Sequence, residues 1–153
     1  MTDTIDEAGA GVDIAALLAS RGHLSTSWTE LGERTLPNGV VVANFSIGDP
    51  ADPASPAVFK VDFPPGCRIE PHSHRAPYAE IILSGSQKVS GRWHHAGDVR
   101  IASADQVYGP LIAGDEGASV LVMFADARWQ PVTLDSSDAG STLHADEIAS
   151  RFS

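Results

Sequence analysis

The sequence predicts an all-β domain, a sandwich or barrel of short strands with a short helix in front of it. Short β-branched and aromatic runs recur from Val40 to Phe124, the composition of half-buried strands. Glycine, proline and asparagine separate these runs at close spacing, the turn pattern of antiparallel sheets. The 153 residues, 42% hydrophobic and 20% charged, suffice for one core and leave no room for a second.

Residues 12–20 (VDIAALLAS) set Val12, Ala15, Ala16 and Leu18 at helical spacing and stop at Arg21-Gly22, a C-terminal signal. This helix belongs to an N-terminal arm over 1–35. From about residue 25 the chemistry is that of strands, with Val40, Val41, Val42, Phe45 and Ile47 following a Pro37-Asn38-Gly39 turn. Residues 49–56 (DPADPASP) hold three prolines among small and acidic residues and form a loop between two strands. Further strands are expected at 57–63, 69–74, 78–83, 87–89, 93–95, 99–101 and 119–124, giving a barrel over 36–130. The tail, 131–153, has room for one or two helical turns at 143–152, capped by Ser141 or Thr142.

Asp and Glu number 20 against 10 Lys and Arg, a formal charge of −10, so a phosphate backbone is repelled and nucleic acid is not an expected partner. No apolar run approaches the ~20 residues that a bilayer demands, and no membrane association is expected. The acidic start, MTDTIDEAGAG, has neither the basic nor the apolar segment of a targeting peptide, which predicts a soluble, cytoplasmic protein. A single cysteine, Cys67, excludes an internal disulfide and a multi-thiolate zinc site. Its simplest place is as a small buried or edge residue.

Four of the six histidines fall within 24 residues, as His72-Ser73-His74 and His94-His95. On a strand, positions i and i+2 share a face, so His72 and His74 present two imidazoles side by side. Facing a cavity, such a pair makes natural metal ligands. The surrounding pattern is Gly66-(5)-His72-Ser-His74-(3)-Tyr78-(6)-Gly85, followed by an apolar Ile81-Ile82-Leu83 run inside it and by Gly97-Asp98 after it. It resembles the first motif of the cupin superfamily, G(x)5HxH(x)3–4E(x)6G, over roughly residues 36–126. The resemblance implies a double-stranded β-helix, or jelly-roll barrel, with the histidines lining its interior. It also implies a divalent transition metal, Fe2+ first and Mn2+, Ni2+ or Zn2+ next, and a homodimer joined through an edge strand or the N-terminal arm.

This sequence departs from the family pattern twice. Tyr78 occupies the glutamate position, and the nearest carboxylate is Glu80, two residues along and on the same strand face. Glu80 enters the cavity, binding the metal or orienting a ligand histidine, or else pairs with Arg68, Arg75 or Arg100. The second family motif, G(x)5PxG(x)2H(x)3N, keeps only Gly97, and its histidine falls on Tyr108. Tyr108 is a metal ligand, a hydrogen-bond donor or general acid, or a packed barrel tyrosine. His94 and His95 share a short strand, so one of them faces inward and can replace the missing ligand. His23 and His144 are surface residues by their position outside the barrel. Trp28, Trp93, Trp129, Phe63 and Phe124 are core or interface aromatics, or the rim of a mouth that suits an apolar ligand.

The resemblance implies a metal-dependent enzyme acting on a small oxygenated or chelating molecule, such as an Fe(II) dioxygenase or an isomerase or lyase. Metal ligands are then drawn from His72, His74, Glu80 and His94, with Glu80, Tyr108 and Tyr78 as catalytic groups. Two other readings stand beside it. One is a non-catalytic module that binds a small molecule, favoured by the degraded second motif. The other is a metal-free isomerase or cyclase that uses the tyrosines, Glu80 and the histidines as proton carriers. Ser-His-Asp catalysis is set aside because no nucleophile elbow is present.

Overall fold

The computed structural model describes residues 13–133; the expected tail helix and His144 lie outside them. Helix α1 (Ile14–Arg21) forms where its spacing predicts. The Asp13 carboxylate caps it by accepting from the Ala16 amide at 3.0 Å, and Gly22 ends it in the left-handed region at φ 70°. A second helix, α2 (Trp28–Gly32), lies where strand chemistry was expected to begin. Its start has the Ser27-x-x-Glu30 spacing of a capping box, and the Ser27 hydroxyl accepts from the Glu30 amide at 3.2 Å.

The strands are β1 (Arg34–Thr35), β2 (Val41–Ser46), β3 (Ala57–Phe63), β4 (Arg68–Ile69), β5 (His72–His74), β6 (Tyr78–Val89), β7 (Arg92–His95), β8 (Val99–Ala102), β9 (Leu111–Phe124) and β10 (Pro131–Thr133). All strand pairs are antiparallel. The larger sheet runs β1-β2-β3-β9-β6-β7, with β4 added on β9 and β8 on β6, while β5 and β10 form a second sheet. The run expected at 69–74 is divided between β4 and β5 because Pro71, between them, has no amide to donate to a ladder.

Two long strands curve the sheet into a barrel. The first half of β6 pairs with β8 and its second half with β7, while β9 pairs with β4 at its start and with β3 at its end. Each strand thereby passes from one wall to the other. Register shifts between Ile82/Ser84 and Gly85/Gln87 mark the bend, and the inward parity changes across it. Tyr78, Glu80 and Ile82 are buried before it, Gln87 and Val89 after it. The two strands expected at 78–83 and 87–89 are one bent strand. Likewise β9 starts at Leu111, not at 119, because Gly114 and Gly117 around Asp115-Glu116 permit close strand approach instead of making a turn. The main core gathers Phe59, Tyr78, Ile82, Val120 and Phe124, and a smaller one Ile69, Val89 and Leu111. No helix among the described residues is long and apolar enough to cross a membrane.

Gly85, the last glycine of the histidine motif, sits at the bend with φ +74°, and a Cβ there would run into the Gly117 carbonyl oxygen. Both the left-handed backbone and the contact with another strand's main chain oppose a side chain. Gly85→Ala is expected to lower stability by roughly 2–4 kcal/mol, read by urea unfolding. A change within error of zero would mean that the bend does not depend on this approach.

Candidate functional site

Strand β5 carries His72 and His74 on one face, 4% and 7% exposed, and its two neighbours fix how the rings are turned. Its partner β10 brings the Trp129 carbonyl to His74 Nδ1 at 2.6 Å, and the Glu70 carbonyl lies 2.9 Å from His72 Nδ1. A carbonyl only accepts, so each Nδ1 carries the proton and each Nε2 presents a lone pair. Both Nε2 atoms meet the Tyr108 hydroxyl, at 2.8 Å from His72 and 3.2 Å from His74. Tyr108 is held in place by a two-bond backbone bridge to His72, its amide donating to the His72 carbonyl at 2.9 Å and its carbonyl accepting from the His72 amide at 3.0 Å. Three candidates from two separate motifs thus converge on one point.

Burial sets the protonation of this cluster. It lowers His72 to about 4, helped by the Arg100 charge and opposed by the Glu70 carbonyl bond. It lowers His74 to about 3, with neighbouring His72 and Arg100 adding to the effect and the Trp129 carbonyl bond opposing it. Both imidazoles are therefore neutral at pH 7. Tyr108 as a whole is half-buried, yet its hydroxyl lies deep, and burial with the nearby Tyr78 and Glu80 raises it well above the usual phenol range. Burial also raises Tyr78.

Behind the histidines lies a second polar layer that Arg100 organises. Glu80 does face inward, 4% exposed, and of the arginines weighed as partners it is Arg100, directly opposite on β8, that binds it. Arg100 Nη2 and Nε donate to Glu80 Oε1 at 2.8 and 3.1 Å, and Gln87 Nε2 donates to the same oxygen at 2.8 Å. Arg100 Nη1 donates to the Tyr78 hydroxyl at 3.3 Å, and the guanidinium carbon lies 4.4 Å from the centre of the Tyr108 ring. Burial pulls the Arg100 pKa down, but Glu80, Tyr108 and Tyr78 outweigh it and raise it.

Of the residues expected to complete a metal shell, Glu80 lines the same cavity as the histidines and His94 does not. Among the described residues no three His, Cys, Asp or Glu side chains come together closely enough to hold an ion. Of the Glu80 carboxylate, Oε1 is engaged by Arg100 and Gln87. His94 pairs opposite Gln87 and shares its sheet face, but does not line the cavity, and its Nδ1 faces its own strand's Arg92 carbonyl at 3.1 Å. His95 is exposed, as is His23. Cys67 is half-buried with its thiol pushed up by burial, in keeping with a packing role.

The cluster sits in a cavity of about 240 Å³ whose walls include Val40, Val42, Phe59, Val122, Phe124 and Trp129, with Arg34 also along its lining. Trp129 and Phe124 therefore serve as cavity aromatics, while Trp93 is exposed. Gln87 was not foreseen as a site residue, and Arg100 was foreseen only as one of three arginines that could pair with Glu80. Arg100 is masked by its strand, where Val99 and Ile101 face solvent and the arginine points inward, the reverse of the usual alternation.

No protein-family model matches the sequence, and a search of curated proteins finds no match. Solved structures do match. Oxalate decarboxylase from Bacillus subtilis superposes with a TM-score of 0.57 at 20% identity, covering 74% of this chain and 33% of that one. An RmlC-like cupin from Shewanella frigidimarina gives 0.58 at 18% identity, covering 69% and 92%, and KdgF from Halomonas sp. gives 0.51 at 19%, covering 65% and 93%. The chain spans about a third of the length of the oxalate decarboxylase chain. Its antiparallel walls and these likenesses together identify the fold as an all-β jelly roll, similar to that of the RmlC-like cupin.

Proposed function

We propose that this chain is a metal-dependent cupin enzyme whose cavity takes a small organic molecule bearing an oxygen function, with His72, His74 and Tyr108 holding the metal. One observation carries the proposal. The Nε2 atoms of two imidazoles and the Tyr108 hydroxyl converge on one point of the cavity, and protonating either ring is opposed by burial. A divalent cation satisfies all three donors at once, so this donor set fits the group. Imidazole nitrogen with phenolate oxygen suits iron(II), the first ion to test, as well as manganese, nickel and zinc. The Nδ1 bonds to backbone carbonyls are the kind of outer support that ligating histidines use.

When bound, such an ion supplies Lewis acidity or oxygen chemistry at the substrate. The chain's own residues do the rest. The apolar walls take the hydrocarbon part of the substrate and exclude water, which strengthens every polar contact inside. Arg100 holds the Tyr108 ring through its face and fixes Tyr78 through its hydroxyl. The fold shared with an enzyme named for oxalate supports a small oxygenated substrate as the class, without choosing oxalate.

Metal content, measured by mass spectrometry on untagged protein purified without chelator, tests this reading. Near-stoichiometric transition metal that vanishes in the His72→Ala, His74→Ala double variant is expected. No metal after reconstitution would overturn it. Tyr108→Phe is expected to weaken metal affinity by about 10- to 100-fold, measured by competition with a chromophoric chelator. An unchanged affinity would remove Tyr108 from the donor set.

A second reading rests on the same hydroxyl. Tyr108, protonated and hydrogen-bonded to His72, can pass a proton to or from a ligand without metal. Activity that survives chelation but falls in Tyr108→Phe would favour it. The expected homodimer has a candidate surface at β8, an edge strand that exposes Val99 and Ile101, 55% and 83% accessible. Light scattering showing a monomer at micromolar concentration would count against that pairing.

A further inference from the structure

Glu80 is held in an unusual way for a carboxylate that lines a cavity. All three hydrogen bonds it accepts, two from Arg100 and one from Gln87, fall on Oε1. Its side chain is 4% exposed and contributes to the cavity wall. Among the described residues, the sealed side-chain atoms without a partner are Gln87 Oε1 and Thr133 Oγ1. Glu80 Oε2 is not one of them and accepts none of these bonds, so it is not fully sealed; because Glu80 lines the cavity, the cavity is where a partner for it can be supplied. Three donors on one oxygen also fix the plane of the carboxylate, so Oε2 is aimed before a ligand arrives.

We infer that Glu80 Oε2 is the specificity-determining acceptor of this cavity, selecting ligands that present a hydroxyl or N–H donor at the inner polar end. The inference rests on the reading that the cavity binds a small organic molecule and adds which class it takes: alcohols, phenols and enols, in preference to ethers, hydrocarbons and carboxylate anions. The physics is an asymmetry. In the empty cavity water can solvate Oε2, and a ligand that enters must either replace that hydrogen bond or leave a carboxylate oxygen bare against apolar walls. A donor replaces it with a charge-assisted bond. A hydrocarbon strands it, and an anion adds repulsion that the Arg100 charge, already spent on Oε1, does not relieve. Sites built around a buried polar group reject analogues lacking the matching group far more strongly than apolar pockets reject an extra methylene.

The test uses three probes of similar size, phenol, toluene and benzoate, titrated into the full-length protein as purified and followed by amide chemical shifts. Phenol is expected to bind about 10- to 100-fold more tightly than toluene, the range for a hydrogen bond to a charged group, with benzoate weakest. In Glu80→Gln the advantage of phenol over toluene should fall to near unity. Because that variant leaves Arg100 without its partner, Glu80→Asp is measured beside it. It keeps the charge but withdraws the carboxylate by one methylene, and should lose most of the advantage while remaining folded. Equal binding of phenol and toluene by the native protein overturns the inference and leaves the cavity reading intact. A phenol advantage undiminished in both variants also overturns it, assigning the contact to the histidines, to Tyr108 or to a bound metal. Binding of none of the three probes overturns the inference and the ligand-cavity reading together, whereas metal content bears only on the latter's metal site.

Discussion

Between pH 7 and pH 4 the metal-stripped protein is expected to lose on the order of 5 kcal/mol of stability through two side chains, His72 and His74. Their folded-state values, about 4 and about 3, lie below the ordinary 6.5 because burial disfavours the imidazolium. The unfolded chain therefore binds protons that the folded chain refuses. Stability contributed by this pair is fully present above about pH 6.5 and falls as the pH drops through the interval to the folded-state values. Each pH unit crossed in that interval costs about 1.4 kcal/mol per histidine. Urea unfolding of chelator-treated protein at steps from pH 7.5 to 4.5 gives the profile. A His72→Gln, His74→Gln variant should flatten it, leaving only the slope due to carboxylates. A wild-type profile that is level between pH 6.5 and 5 would show that these rings accept protons in place. The same depression has a consequence for ligation, since protons begin to compete for the folded imidazoles only near pH 4.

The parts of this architecture that depend on local chemistry were legible in the sequence. Alternation put His72 and His74 on one face, the Pro37-Asn38-Gly39 turn and the 49–56 loop bounded β2 and β3, and Arg21-Gly22 ended α1, whereas its cap at Asp13 was not read. What was hidden depended on pairing between distant segments. The bend in β6 comes from register shifts against β9, and no run of residues announces a shift of register. The same holds for the start of β9, where glycines that resemble a turn serve close strand approach. In the site, the convergence of Tyr108 on both histidines follows from a backbone bridge to His72 across 36 positions. Tyr108 was identified by the place of a missing histidine, but Arg100 had no comparable marker. Its inward turn on a strand with apolar residues facing out is explained only by Glu80 opposite it.

That arginine is the side chain whose loss should cost the fold most. Arg100→Met is expected to destabilise the protein by about 3–5 kcal/mol, the range for removing one partner of a buried ion pair. The Arg100 and Glu80 side chains are 18% and 4% exposed, so water does little to screen the carboxylate left behind. The loss is compounded because Arg100 also donates to the Tyr78 hydroxyl and lies over the Tyr108 ring. Truncation therefore leaves Glu80 with Gln87 as its one remaining donor and frees the Tyr108 ring on one side. The pair itself is a different matter, since replacing both partners by apolar residues removes the buried charge along with its counterion. Arg100→Met combined with Glu80→Leu should be clearly more stable than Arg100→Met alone, and a double-mutant cycle by urea unfolding at pH 7 isolates the coupling. Additive losses would mean that the two side chains do not act as a unit. If they are coupled, a rescued double variant gives a folded barrel without its inner carboxylate. In that background the Tyr108 hydroxyl still meets two imidazoles, so metal content there should remain near that of the native protein while the preference for phenol over toluene is gone. Such an outcome would divide the cavity into a metal-holding layer made by β5 and Tyr108 and a ligand-selecting layer made by β6 and β8.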